Sequence, residues 1–212
     1  KLEPQGQRFV HVSDRTPTPT SRNIVRAIAE QTVEGETFVW TARQNKGIVV
    51  WRQTGPRSYE RAFDYPADGT AGEFGVVREF VVDPVTNQVW IIGRGGIGRV
   101  RKAGEPLERL TFEGAPGNPV GMRVAAFIDP TTLAVASGIV DGPEIWRIDT
   151  QTLAVSLLDA SGKPGSERAS FEVFDLFAGS NGTLALATSR GLSLIDGGDG
   201  TTSWHAPLQR TG

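Results

Sequence analysis

Val76–Lys102, VVREFVVDPVTNQVWIIGRGGIGRVRK, reads as three strands separated by two kinds of turn. The first run, Val77–Val82, stops at Asp83-Pro84, a pair suited to the first two positions of a type I turn. The second, Val89–Ile92, is apolar at every position, the mark of a strand buried on both faces. A glycine hairpin leads into the third, Ile97–Val100. Gly93, Gly95 and Gly98 stand as G-x-G-x-x-G after this buried strand, with Glu113 twenty positions beyond Gly93, the outline of a dinucleotide-binding fingerprint. Such a site needs a helix opening at the glycines, so that its N-terminal amides face the pyrophosphate. Only Arg99–Glu105 separate the last glycine from Pro106, and Ile97–Val100 does not follow a 3.6-residue period. The glycines are therefore expected to form a glycine-rich hairpin, which tolerates positive φ.

Outward from this stretch the same unit recurs. Strands matching Ile97–Val100 begin at Ile48, Ile145 and Leu192, in steps of 49, 48 and 47 residues. The preceding strand recurs as Thr37–Thr41, Val89–Gly93, Leu133–Ser137 and Leu184–Thr188. Upstream lie Ile24–Ile28, Val77–Val82, Val124–Ile128 and Phe174–Phe177, and downstream Tyr59–Phe63, Leu107–Phe112, Leu153–Leu158 and Thr202–His205. Each unit is a four-stranded meander, with strands A to D. A helix over Ser21–Glu34, capped by Ser21, is the competing local reading, and the repeat register overrides it. Four short strands per repeat of about 48 residues mark an all-β fold, a β-propeller. Its four blades are expected at residues 24–63, 77–112, 122–158 and 171–206, in a single region spanning 1–212. Trp40, Trp51, Trp90, Phe127, Trp146 and Phe174 are then expected to pack blade on blade. Phe9–Val12 takes the strand D slot of a unit whose other strands are absent. With a fourth strand around Trp204 as well, the expectation is a segment of a larger ring whose end blades do not pack on each other.

Composition narrows the chemistry. A formal charge of −2 supplies no basic field for nucleic acid, and 38% hydrophobic content over 212 residues suffices for a substantial core. The absence of cysteine removes disulfides, thiol catalysis and thiolate metal sites. No run of about 18 apolar residues offers a spanning helix, so direct membrane insertion is not expected. His11 and His205 lie near opposite ends of the sequence without metal-ligand spacing, and no G-x-S-x-G elbow occurs. The run from Asp196 to Gly200 lacks the alternating oxygen ligands of a calcium loop. No catalytic residue, metal or cofactor is expected, and the chain reads as a non-catalytic module.

In a meander the B–C turns and the D–A connections emerge on one side of the propeller. Arg43 and Arg190 each stand two residues after the Thr that closes strand B, Arg94 stands one after Gly93, and the fourth B–C turn offers Asp141. Clustered arginines bind carboxylate or phosphate through forked hydrogen bonds. Single exposed arginines in hairpin turns more often only solvate the surface.

The segments VREFVVDPVTNQVWIIGRGGIGRV and VFDLFAGSNGTLALATSRGLSLID resemble two-component regulator propeller repeats. Trp90 and Gly93 stand at the expected slots of the first, and Asn181-Gly182, Thr188 and Gly191-Leu192 at those of the second. Residues 24–63 and 122–158 match loosely, with Phe38, Ala134 and Ala185 at the Trp slot of the other units. The resemblance implies a seven-bladed ring in a periplasmic, ligand-sensing region of a membrane-anchored bacterial receptor. Its partners would be a small ligand, anionic or carbohydrate, and the rest of the receptor. A propeller that only contacts other proteins is the alternative, and a propeller lyase or lactonase the third reading.

Overall fold

The computed structural model describes residues 24–44, 46–112, 121–137, 144–158, 172–179, 182–189 and 191–196, and the backbone of 202–204. These residues form sixteen strands in four antiparallel sheets, each sheet holding its strands in chain order. Blade 1 contains β1 (Val25–Val33), β2 (Glu36–Arg43), β3 (Gly47–Gly55) and β4 (Ser58–Tyr65). Blade 2 contains β5 (Val77–Val82), β6 (Val89–Gly93), β7 (Gly96–Val100) and the short β8 (Glu108–Arg109). Blade 3 contains β9 (Met122–Asp129), β10 (Thr132–Ser137), β11 (Ile145–Asp149) and β12 (Val155–Leu158). Blade 4 contains β13 (Val173–Ala178), β14 (Thr183–Thr188), β15 (Gly191–Asp196) and β16 (Thr202–Trp204). The propeller of four-stranded blades read from the repeat is thus the observed architecture.

Local chemistry explains the strands. β1 could have coiled into a helix, yet it pairs with β2 from Val25 opposite Arg43 to Val33 opposite Glu36. The turn between them is Glu34-Gly35, both at positive φ (53° and 84°), the backbone of a two-residue hairpin turn. At the end of β5, Asp83 Oδ1 accepts the N–H groups of Val85 and Thr86 at 2.8 and 2.9 Å. Asn87, at φ 59°, then turns the chain into β6. Every residue of β6 is buried, as its unbroken apolar run demands.

Three apolar cores join the blades in series. Trp40, Phe38, Ile48 and Val50 of blade 1 meet Val77, Phe80, Val89 and Ile91 of blade 2. Trp90, Ile92 and Ile97 of blade 2 meet Met122, Leu133, Val135 and Ile148 of blade 3. Ala134, Ala136 and Ile145 of blade 3 meet Val173, Leu176, Leu184 and Ile195 of blade 4. Among the described residues no core joins blade 4 to blade 1. The first joint also carries a polar clasp: buried Gln31 accepts the Trp40 indole N–H at 3.2 Å and donates to the carbonyls of Asn87 and Arg101 at 2.8 and 2.9 Å.

The glycine fingerprint has a packing explanation. The D–A connection from blade 1 to blade 2 holds a four-residue helix, α1 (Thr70–Glu73), and ends in Phe74, which is fully buried. A Cβ on Gly93 would strike the Phe74 carbonyl, one on Gly95 would lie 2.5 Å from the Glu73 carbonyl oxygen, and one on Gly98 would strike the Phe74 ring. The three glycines form the floor on which the incoming connection lies.

Several expected details differ. Pairing puts Trp40, opposite Ala29, at the position that Trp90, opposite Val81, holds in blade 2, so the Trp slot of blade 1 is Trp40 and not Phe38. Trp51 is half-buried and donates its indole N–H to Thr41 Oγ1 within its own blade at 3.1 Å. Phe174 is 47% exposed and packs in none of the three blade cores. Strand D of blade 2 contracts from Leu107–Phe112 to Glu108–Arg109, while Leu107, Leu110 and Phe112 still bury their side chains. Phe9–Val12, His11 and His205 lie outside the described residues.

Candidate functional site: the arginine-lined channel mouth

The innermost strands β1, β5, β9 and β13 share one irregularity. Val25 pairs with Arg43 and Ala27 with Ala42, which leaves Arg26 as an extra residue. Val77 pairs with Gly93 and Glu79 with Ile92, leaving Arg78. Met122 pairs with Ser137 and Val124 with Ala136, leaving Arg123. Val173 pairs with Thr188 and Asp175 with Ala187, leaving Phe174. Each blade therefore begins with a β-bulge at the second residue of its inner strand. A bulge bends the strand and re-aims the side chain of its unpaired residue. All four bulged side chains, Arg26, Arg78, Arg123 and Phe174, line one cavity of about 280 Å³. Glu79 and Asp175, each the residue after a bulge, line it too.

The cavity opens on the side of the B–C turns. Arg94, in the β6–β7 turn, is anchored by its backbone: its N–H donates to the Val76 carbonyl at 3.1 Å, and its carbonyl accepts from Gly121 N–H at 2.8 Å. Arg26 donates to Gln44 Oε1 of the β2–β3 turn. The B–C turns and the starts of the inner strands thus form a common rim.

Electrostatics single out Arg78. Burial, then the neighbouring guanidiniums of Arg26, Arg123 and Arg94, push it below the usual arginine value. Among the described residues no carboxylate or carbonyl pairs with the Arg78 side chain. Arg123 faces Glu172 at 3.7 Å and sits 5.4 Å from the Phe174 ring centroid, a cation–π arrangement. Across the rim, Glu79 Oε2 accepts the Ala125 N–H of blade 3 at 2.5 Å. Burial, opposed by that hydrogen bond and assisted by Asp175, pushes the Glu79 carboxyl up to about 7. The guanidiniums of Arg26, Arg94 and Arg123 thus act on a partly desolvated Arg78 that has no carboxylate partner among the described residues, beside a lining that also holds Glu79 and Asp175.

Of the residues singled out in the sequence, Arg94 is among the charges acting on Arg78. Arg43 ends β2 opposite Val25 and Gly47 and lies outside the cavity lining. Arg190 and Asp141 lie outside the described residues. Arg26, Arg78 and Arg123 form the lining instead. Their signal was present as an apolar-Arg pair opening three inner strands, Val25-Arg26, Val77-Arg78 and Met122-Arg123. Among the described residues no three His, Asp or Glu side chains gather as a metal-ligand set.

Compared by sequence, the chain matches no family model and no curated protein. By structure it is similar to the extracellular domain of a hybrid two-component system from B. thetaiotaomicron, with a TM-score of 0.61 at 13% identity over 88% of this chain and 23% of that one. It is similar to a gluconolactonase from Xanthomonas campestris, with a TM-score of 0.56 at 14% identity over 84% of this chain and 60% of that one. It also resembles the computationally designed Ika4 protein, with a TM-score of 0.51 at 18% identity over 90% of this chain and 95% of that one. The chain therefore spans less than two thirds of either natural neighbour. At these identities the likeness establishes the propeller fold alone.

Proposed function

We propose that this propeller is the extracytoplasmic, periplasmic ligand-sensing domain of a bacterial two-component-type receptor, and that it binds a small anion or acidic oligosaccharide at the channel mouth. The observation that carries the reading is the bulge repeated in four blades, which turns Arg26, Arg78 and Arg123 into one cavity. Three guanidiniums offer forked donors to a carboxylate, sulfate or phosphate, and exposed Phe174 offers a face for an apolar or sugar ring. Support for the receptor setting comes from the similarity to the extracellular domain of a two-component system. The role is binding rather than catalysis, and the partner that reads the bound state is the rest of the receptor.

Thermal-shift titration with sulfate, D-glucuronate and tartrate tests the site. An anion at about 100 times its Kd adds about 2.7 kcal/mol, which raises Tm by roughly 5–10 °C for a chain of this size. Arg78→Ala and Arg123→Ala are expected to remove that shift. No shift with any anion, or a shift indifferent to both substitutions, overturns the reading. A second reading, a protein-docking propeller, draws on the apolar face of blade 4, on which nothing packs among the described residues and where Phe177 is 69% exposed.

A further inference from the structure

Glu79 stands in an unexpected place for an anion site. It follows the bulged Arg78 directly, lines the same cavity, and has one oxygen held by the Ala125 N–H of the next blade. Its equivalents after the other bulges are Ala27, Val124 and Asp175, so the two acidic ones stand on blades 2 and 4, separated in order by blade 3. Sharing the cavity with it are Arg26 on β1, Arg78 on its own strand, Arg123 on β9 and Asp175 on β13, of which Asp175 acts on its charge, while Arg94 from the β6–β7 turn acts on Arg78. Glu30 and Asp129, the remaining charged residues of β1 and β9, lie outside the lining.

Resting on the anion-site reading, we propose that Glu79 couples anion binding to proton uptake: an anion seated among Arg26, Arg78 and Arg123 places negative charge beside the Glu79 carboxylate, which takes one proton from solvent. The proton goes to Oε1, because Oε2 is engaged by the Ala125 N–H. The bond formed is a carboxyl O–H, and nothing is oxidised or reduced. The site thus exchanges one negative charge of its own for that of the ligand and keeps its cationic excess.

The direction follows from like-charge repulsion. With the carboxyl at about 7 in the empty site, Glu79 is partly ionised near neutrality. A neighbouring anion raises its pKa further, as Asp175 already does. Below that range Glu79 is already neutral and anions bind without linkage. Between the empty-site value and the higher one of the occupied site, binding takes up a proton and affinity falls as pH rises. If the anion raises the carboxyl by two pH units or more, affinity falls about tenfold between about pH 6 and about pH 8.

Calorimetric titration with sulfate and D-glucuronate, neither of which titrates in that interval, tests the coupling in buffers of different ionisation heat. The expected result is about tenfold weaker binding at the upper pH, with proton uptake approaching one per anion. Glu79→Gln, whose amide oxygen can still accept from Ala125, is expected to bind with no pH dependence across the interval. Asp175→Asn, which removes the other negative charge, is expected to move the midpoint of the wild-type pH dependence to lower pH. Binding by wild type without pH dependence, an unchanged slope in Glu79→Gln, or an unmoved midpoint in Asp175→Asn overturns the coupling while leaving the anion site standing. No binding at any pH removes the anion site and the coupling together.

Discussion

A Cβ at Gly98 would enter the Phe74 ring and approach the Glu108 carbonyl oxygen at 2.5 Å, although the Gly98 backbone is not left-handed. Gly35 is the reverse case: its φ is +84°, and nothing lies within 4 Å of where its Cβ would be. Crowding acts alone at the first and backbone conformation alone at the second. Gly98→Ala must displace a fully buried aromatic ring or the blade's own outer strand, and is expected to destabilise by about 1–3 kcal/mol. Gly35→Ala is expected to cost about 1–2 kcal/mol through its left-handed φ. Denaturant unfolding checks both, and pairing each with Phe74→Leu separates them. The smaller side chain should relieve Gly98→Ala and leave Gly35→Ala unchanged. The dinucleotide-like spacing of Gly93, Gly95 and Gly98 thus reports a residue-scale packing need.

The element that makes the site is the start of each inner strand. Alternation alone sends successive side chains of a strand to opposite blade faces, so an inner-strand arginine in regular register would meet a neighbouring blade. The bulge releases it. In blade 2, Val77 faces the core shared with blade 1 while Glu79 faces blade 3, and Arg78 between them has no cross-strand partner. Removing Arg78 altogether would place Val77 and Glu79 in consecutive register against Gly93 and Ile92, with every other β5–β6 pair retained. The deletion variant is expected to unfold in one transition with the denaturant slope of wild type, and to lose the anion-induced thermal shift. A lowered slope or an unfolded chain would show that the bulge is needed for the fold itself.

At the scale of the molecule, blade 4 repeats a surface that the other blades bury. The positions of Trp40, Trp90 and Ala134, which face the following blade, correspond in blade 4 to Ala185. Around it in the pairing lie Phe177, Ala187, Leu192 and Leu194. Among the described residues nothing packs on this face, and Phe177 and Leu192 remain 69% and 45% exposed. A contiguous apolar surface of this kind favours association. Sedimentation velocity is expected to show concentration-dependent association of the chain, reduced by Phe177→Glu together with Leu192→Glu. Indifference to both substitutions would place the contact elsewhere.

The sequence by itself determined the unit of this protein: the recurrence of Ile48, Ile97, Ile145 and Leu192 at nearly constant spacing gave four meanders, because strand length and turn chemistry are local. It also pointed to the face where the B–C turns gather, since meander topology places those turns together. Register was less legible. Trp40 and Phe38 both belong to an alternating apolar strand, and only pairing with β1 and β3 decides which holds the Trp slot. The apolar-Arg pairs opening three inner strands are visible in the sequence, but only tertiary structure decided that they share one cavity. Arg26, Arg78 and Arg123 look like ordinary strand residues, because a bulge is a property of two paired strands and not of one. The raised pKa of Glu79 has the same origin, for it depends on burial and on Asp175 from blade 4, which the fold brings to one cavity from a distant part of the sequence.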